Sequence, residues 1–338
     1  MHHERCAPTP PAALLQPQPT AGLEGGGGGG GGAGGMRSSS TPPITYRRRF
    51  EGRYALVTAS TAGIGLAIAH ALLADGAAGV AVCSRREANV RAAAGALRAA
   101  ARRANPGDGP QASDARVFGG VCHVADAAQR AAFCAAALEH FGGRLDALVL
   151  NAAANPVAGP LLDTPPEALD KLWEVNVKSA LLMVKECAGA LERTAAERRR
   201  AGGGGGGGES RNNNNNDNNN TSAVLFVSSV TAFRPPFPIA AYAITKTALL
   251  GVVRGLADEL GPKGVRVVGL APGIVKTKFA AALVDGEGAE ARQSAATALG
   301  RLGTPGDMGS AAAFLLSPEA AYVTGETLVA SGGMPSRL

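Results

Sequence analysis

The stretch Tyr54-Ala-Leu-Val-Thr58-Ala-Ser-Thr-Ala-Gly63-Ile-Gly65-Leu-Ala-Ile-Ala-His70-Ala-Leu-Leu-Ala74 decides the fold. It opens on an apolar run, Tyr54–Thr58, of the kind that forms a strand buried on both faces. A short turn follows, and then an Ala/Leu-rich helix over Gly63–Ala74. Glycines in such a turn let the backbone approach a pyrophosphate, and the helix amino terminus stabilises its charge. Ala59, Ser60, Gly63, Ile64 and Gly65 are therefore candidate cofactor contacts. The G-x-G-x-x-G spacing is not met, so a plain tight strand–helix turn stands beside the phosphate-loop reading.

Outward from this unit, short apolar runs alternate with longer helical stretches. Strands are expected at Val80–Cys83, Arg116–Cys122, Ala147–Leu150, Ala223–Ser228, Val265–Leu270 and Thr327–Ala330, with helices at Glu87–Ala104, Ala127–Phe141, Pro166–Glu192 and Ala240–Leu260. Continuous apolar strands separated by helices predict an α/β fold. The expected architecture is a single Rossmann-type doubly wound parallel sheet with helices on both faces.

Two segments do not belong to that pattern. Residues 1–48, rich in Gly, Pro and Ser, read as a disordered low-complexity extension, and residues 49–338 as one domain. Within it, 195–222 carries a glycine run and an asparagine run, and 105–114 is a shorter insertion. Both join a helix to a strand, which places them at the amino ends of the strands, whereas ligands bind at the carboxyl ends. They are expected to be disordered and dispensable loops.

Composition excludes several classes. The five cysteines are odd in number, scattered and never in a C-x-x-C pair, so neither a disulfide framework nor a zinc site is expected, and the compartment reads as reducing. No run of about 18 uncharged apolar residues exists to span a membrane. The net charge of +6 is concentrated at Arg47–Arg49 and Arg198–Arg200, beside the low-complexity segments, and aromatic content is only 4%. That is too little for base-stacking platforms, so nucleic acid is not an expected partner.

The chemistry is carried further along the chain. Arg85 follows Ser84 at the end of the second strand, 20 residues beyond Gly65. A carboxylate there suits the ribose hydroxyl of NAD. An arginine suits the 2′-phosphate of NADP, which its planar fork grips at two oxygens. The alternative is a surface arginine, although its charge opposes the dipole at a helix start. Tyr242 and Lys246 are four residues apart and share a helix face. A free tyrosine has a pKa of about 10 and needs a nearby cation to work near neutrality, which Lys246 can supply. Ser229 closes the preceding strand and faces the crevice at its carboxyl end.

Thr58…Gly63-Ile64-Gly65, Asn151-Ala152-Ala153, Asn176-Val177, Ser229, Tyr242…Lys246 and Pro272-Gly273 occur in an order that resembles the short-chain dehydrogenase/reductase family. The resemblance covers about residues 50–338 outside the insertions. Ala59 and Ala153 stand where the family usually has glycines, Leu150 where it has an asparagine, and His123 where it has an aspartate. These departures, together with "NAAANP", "YAITKTALLG" and the final "GGMPSRL", resemble a peroxisomal subgroup of NADP-dependent retinol dehydrogenases and carbonyl reductases, with plant relatives in indole-butyric acid metabolism. By that resemblance Tyr242 is the general acid, Lys246 lowers its pKa and holds the nicotinamide ribose, Ser229 binds the carbonyl oxygen, and Asn176 anchors a relay water. It also implies that Asn151 and Ala152 border the ribose, His123 and Val124 the adenine, and Val275 and Thr277 the carboxamide and pyrophosphate side.

The implied activity is NADPH-dependent reduction of retinal, ketones or α-dicarbonyls, or the reverse oxidation, on a small-molecule substrate and with no metal. A β-oxidation-linked dehydrogenase of hydroxyacyl-CoA or auxin-precursor chains uses the same residues. A non-catalytic NADP-binding protein has no need of the Ser229/Tyr242/Lys246 spacing. Phe233, Pro235-Pro236 and Phe237 either line the substrate pocket or stiffen a loop, and residues 278–300 are expected to form a small helical lid. His70, His140 and Trp173 read as packing or surface residues. Ser336-Arg337-Leu338 resembles the S-K-L address read by the peroxisomal import receptor, so peroxisomal localisation is expected. The Ser/Arg-rich Met36–Arg49 keeps a mitochondrial alternative open, and the cytoplasm is the other. The family resemblance further implies a homotetramer.

Overall fold

The computed structural model describes residues 48–104, 107, 109–203, 221–286 and 288–336. Nearly all of the N-terminal extension, the run 204–220 and Arg337-Leu338 lie outside the described residues. In chain order the elements are β1 (Tyr54–Val57), α1 (Gly63–Ala74), β2 (Gly79–Ser84), α2 (Glu87–Ala104), α3 (Pro110–Ala115), β3 (Val117–Val121), α4 (Ala127–His140), β4 (Ala147–Leu150), α5 (Pro166–Trp173), α6 (Ser179–Gly203), β5 (Ser222–Val227), α7 (Ala240–Leu260), β6 (Val265–Pro272), α8 (Ala281–Val284), α9 (Ala289–Ala295), α10 (Pro305–Leu316) and β7 (Thr327–Ala330).

The seven strands form one sheet in the order β3-β2-β1-β4-β5-β6-β7, every neighbouring pair parallel. Successive strand residues point to opposite faces, and here both faces are apolar. Val57, Val82, Val149, Leu225 and Leu270 pack beneath α1, α2 and α10 through Ile68, Leu72, Leu97, Met308 and Ala312. Their neighbours Leu56, Ala81, Leu148, Phe226 and Val267 pack beneath α4, α6 and α7 through Phe133, Met183, Cys187, Leu249 and Val253. This double burial is why the strands read as continuous apolar runs. Cys83, Cys122, Cys134 and Cys187 are free thiols inside these layers. Strand order reverses between β1 and β4, so the loops leaving their carboxyl ends diverge and open a crevice.

Three expectations change. The helix expected over Pro166–Glu192 is broken by a π-helical turn at Glu174–Lys178, a feature that frequently marks functional sites. The insertion expected to be disordered from residue 195 begins as helix, because α6 continues to Gly203. Tertiary partners hold that extension: the Thr194 hydroxyl accepts from the Leu145 amide at 3.0 Å, Ala195 is fully buried, and Arg198 pairs with Asp146 and donates to the Gly52 carbonyl at 2.7 Å. The shorter insertion, expected to be disordered over 105–114, contains most of α3, fastened by the Arg102–Asp114 pair at 2.6 Å. The contacts of Arg198 to Asp146 and Gly52, just before β4 and β1, put the described start of the longer insertion at the amino ends of the strands.

Among the described residues, no helix is long and apolar enough to cross a membrane.

Candidate active site

The strand–helix turn after β1 is held from three sides. The Thr58 hydroxyl donates to the Val149 carbonyl at 3.1 Å and accepts from the amides of Asn151 (2.9 Å) and Ala152 (3.2 Å). The Asn151 amide nitrogen returns two bonds, to the carbonyls of Thr58 (3.2 Å) and Ala59 (3.0 Å). Ser60 laces the turn to β2: its amide donates to the Cys83 carbonyl, its hydroxyl donates to Val57, and the Cys83 amide donates to that hydroxyl. The Asn151 and Ser60 side chains therefore shape the loop from inside.

Ala59 has φ +48°, a left-handed conformation that costs an L-residue about 1–2 kcal/mol. Gly65 admits nothing larger, because a Cβ there would lie 2.5 Å from Asn151 Nδ2 and 2.8 Å from the Ala59 carbonyl oxygen. At Gly63, with φ +56°, a Cβ would stand 3.3 Å from the Thr277 methyl, so the segment after β6 faces the turn across a narrow gap. Thr277 caps the next turn by accepting from the Ala280 amide at 3.3 Å, and buried Val275 bridges to Gly303. Ile64 is half-buried against the core.

Arg85 is exposed at the carboxyl end of β2, two residues beyond the Ser60–Cys83 lacing, and has no side-chain partner among the described residues. Ser84 before it is half-buried and accepts from the Cys122 amide through its carbonyl. Beside them, His123 accepts from the Ala125 amide through Nδ1 at 3.2 Å, and Val124 is buried. A glycine-lined turn at a helix amino terminus, a facing threonine and an arginine on the flank fit the pyrophosphate of a dinucleotide in shape and charge.

The second half of the site is the face of α7. Lys246 is 2% exposed and donates through Nζ to the Val227 carbonyl at 2.8 Å. The Ser228 hydroxyl donates to the Lys246 carbonyl at 2.9 Å, and Thr247 Oγ1 donates to the Ala232 carbonyl at 2.6 Å. These bonds on both sides of Ser229 clamp its segment against α7. Ser229 Oγ accepts from the Thr231 amide at 3.2 Å and lies 2.9 Å from the Thr231 hydroxyl. With Thr231 donating in both contacts, the Ser229 proton is left to donate outward.

Asn176, in the π-helical turn, accepts from the Ala154 amide at 2.7 Å and donates to the Ala154 carbonyl and to Thr245 Oγ1, each at 3.0 Å. Thr245 donates in turn to the Tyr242 carbonyl at 2.7 Å. Asn176 thus pins the loop after β4 to α7. Sequence reading missed Thr245 and Ser228. Thr245 was findable, since it stands three residues after Tyr242 on the same helix face, whereas Ser228 is an ordinary strand-end serine until α7 is seen against it.

Burial governs the titration of the pair. It pushes the Tyr242 phenol well above its ordinary value and pulls the Lys246 ammonium down to about 7. The lysine nitrogen stands 5.7 Å from the centre of the tyrosine ring. Among the protein's own groups, burial alone moves the phenol, upward, and the expected lowering by Lys246 is not seen. A phenol that keeps its proton is poised to donate it.

The remaining expectations fall outside this face. His140 stacks on Phe118 and Phe141 and bonds the Ala115 carbonyl at 2.8 Å, His70 lies on exposed α1 surface, and Trp173 is half-exposed on α5. Phe237 is exposed and precedes a cis proline, while Phe233 is half-buried. Residues 278–300 supply α8 and α9, as expected of a small helical segment.

A Rossmann sheet with a dinucleotide turn and a serine, tyrosine and lysine at its carboxyl edge defines an oxidoreductase. Sequence profiles agree: "short chain dehydrogenase" matches residues 53–202, and "Enoyl-(Acyl carrier protein) reductase" matches 214–335. The chain is 41% identical to Tropinone reductase-like 3 of Erythroxylum coca, over 86% of this chain and 96% of that one. It is 39% identical to Dehydrogenase/reductase SDR family member 4 of Homo sapiens, over 87% and 92%. The crystal structure of 3-ketoacyl-(acyl-carrier-protein) reductase from Brucella melitensis complexed with NADH superimposes with a TM-score of 0.68 at 27% identity, covering 84% and 98%. The chain belongs to the short-chain dehydrogenase/reductase family.

The Lys246 shift has a measurable consequence. Between about pH 7 and its ordinary value of 10.5, the unfolded lysine carries a proton that the folded one lacks, so the folded state gains stability as pH rises through that window. In protein without added dinucleotide, chemical denaturation of wild type and Lys246→Met is expected to show wild type gaining on the variant from pH 7 upward. A constant difference between the two would contradict a desolvated lysine.

Proposed function

We propose that the protein is an NADPH-dependent carbonyl reductase acting on retinal, ketones or α-dicarbonyls, and reversibly on the corresponding alcohols. The observation that carries this reading is the clamp of Ser229 between β5 and the Tyr242–Lys246 face of α7, opposite a dinucleotide turn flanked by Arg85. Relatives named dehydrogenase/reductase and tropinone reductase-like support the general class.

The chain's own groups divide the work as follows. Gly63 and Gly65 allow close approach of a pyrophosphate to the α1 amino terminus, with Thr277 opposite, and Arg85 grips the 2′-phosphate that separates NADP from NAD. When bound, the reduced nicotinamide supplies the hydride. Ser229 donates a hydrogen bond to the substrate carbonyl oxygen, and Tyr242 transfers its phenolic proton to the same oxygen as the alcohol forms. Lys246 donates one N–H to the Val227 carbonyl, would donate another to the nicotinamide ribose, and in its ammonium form can give up a proton to restore the Tyr242 phenol.

NADPH oxidation against retinal, an aromatic α-dicarbonyl and a 3-ketoacyl-CoA, with NADH in parallel, tests the assignment directly. Turnover confined to the CoA ester would move the protein to acyl-chain oxidation. Tyr242→Phe should reduce turnover by about 10³-fold while NADPH affinity measured by fluorescence stays near wild type. Retained turnover would remove Tyr242 from the chemistry. Arg85→Asp should reverse the preference from NADPH to NADH, and unchanged selectivity would place phosphate recognition elsewhere.

The half-exposed apolar side chains Leu169, Trp173 and Leu181 on α5 and α6 support assembly of a homotetramer through that face. Light scattering should then find about four chains for wild type and fewer for Trp173→Glu. A variant of unchanged mass would exclude this face.

A further inference from the structure

Phe279 is a large apolar side chain left 57% exposed, yet it is packed against the catalytic tyrosine. The centres of the Phe279 and Tyr242 rings are 5.9 Å apart, with planes tilted by 49°. Its backbone is not on a loose arm. Two residues earlier, the Thr277 side chain faces Gly63 of the dinucleotide turn and caps the helical turn that carries Phe279. Leu283, 37% exposed, is a second exposed apolar side chain, four residues further on in α8. On its buried side Tyr242 packs with Leu172 and Ala241, with Ala153 and Ile239 against them.

A phenylalanine placed beside the tyrosine and open to solvent on its remaining surface is a platform for a flat group attached to the reacting carbon. Aromatic pairs favour offset or edge-to-face contact with centres 4.5–7 Å apart, and such pairs add to the gain from burying their area. We infer that Phe279 is a specificity-determining residue that selects carbonyl substrates with an aryl substituent, with Leu283 prolonging the wall it forms. The inference rests on the reductase reading above and adds to it the residue that ranks substrates. Phe279 exchanges no proton and touches no reacting atom. Its effect belongs in KM for ring-bearing substrates, not in the chemical step.

Steady-state kinetics of full-length wild type, Phe279→Ala and Phe279→Leu, with NADPH saturating, can separate the outcomes. One substrate is an alkyl phenyl ketone and the other is diacetyl, a small carbonyl without a ring. Phe279→Ala should raise KM for the phenyl ketone about tenfold, Phe279→Leu should raise it less, and both variants should keep wild-type kcat and KM with diacetyl. Equal losses of kcat on both substrates, with a displaced pH profile, would overturn the inference by showing that Phe279 only positions Tyr242. An unchanged ratio of kcat/KM between the two substrates would also overturn it, while leaving the reductase reading intact. Wild-type enzyme inert towards both carbonyls would overturn the reductase reading, and this inference with it.

Discussion

The Thr58 hydroxyl joins the carboxyl ends of β1 and β4, where the strand order turns back on itself. One donor and two accepted bonds fix the spacing of two strands whose outgoing loops must diverge. Asn151, placed by that junction, then reaches back and holds the turn in which Ala59 is left-handed. The amino terminus of α1 consequently points into the crevice at a fixed distance from the loop after β4. Asn176 continues the chain of dependence, since it fastens Ala154 to Thr245 and thereby to the carbonyl of Tyr242. The dinucleotide turn and α7 are distant in sequence but mechanically one unit, coupled through short polar bonds above the apolar layer that β1, β4 and α7 share.

The same geometry explains why burial dominates the electrostatics of the catalytic pair. α7 is drawn so close to β5 that Lys246 reaches the Val227 carbonyl and loses almost all contact with water. A lysine in that position is expensive to charge, and the tyrosine beside it is expensive to ionise. Both shifts favour the neutral forms, phenol and amine, near neutral pH. In the proposed reduction this is useful, because the tyrosine would have to hold its proton until negative charge develops on the substrate oxygen. Partial protonation of Lys246 near pH 7 then leaves it able to replace the proton that Tyr242 gives up.

What was legible in the sequence follows from how far each signal reaches. The sheet was legible because its central strands are covered on both faces, so Leu56 and Val57 are equally apolar although they face different helices. Tyr242 and Lys246 were legible because their spacing is helical and local, and Ser229 because it follows closely on the strand before that helix. The end of α6 was not. Its polar run Arg198–Arg200 looks like solvated charge, and only the fold brings Asp146, Gly52 and the Lys263 carbonyl into reach of Arg198 and Arg199. The π-helical turn escaped for a similar reason, since Glu174–Lys178 has an ordinary helical composition and its extra residue shows only when Asn176 must meet both Ala154 and Thr245. Asp114 likewise gives no sign by itself that Arg102, one helix earlier, will hold α3 in place.

The three positions of the turn where relatives of this family usually carry glycine show how selective those constraints are. At Gly65 a side chain would strike the Ala59 carbonyl, the Ser60 Cα and the Asn151 amide that holds the turn together, and the backbone atoms among these cannot move without dismantling the junction. At Gly63 the obstacle is the Thr277 methyl at 3.3 Å, which would have to yield together with the segment facing the turn, and the left-handed φ adds its own cost. At residue 59 conformation alone is at issue. Alanine pays about 1–2 kcal/mol for a left-handed backbone, and the bond from Asn151 to its carbonyl holds it there. Steric exclusion by backbone is absolute while conformational strain is negotiable, so the turn keeps its shape with alanine at 59 but not with a side chain at 65.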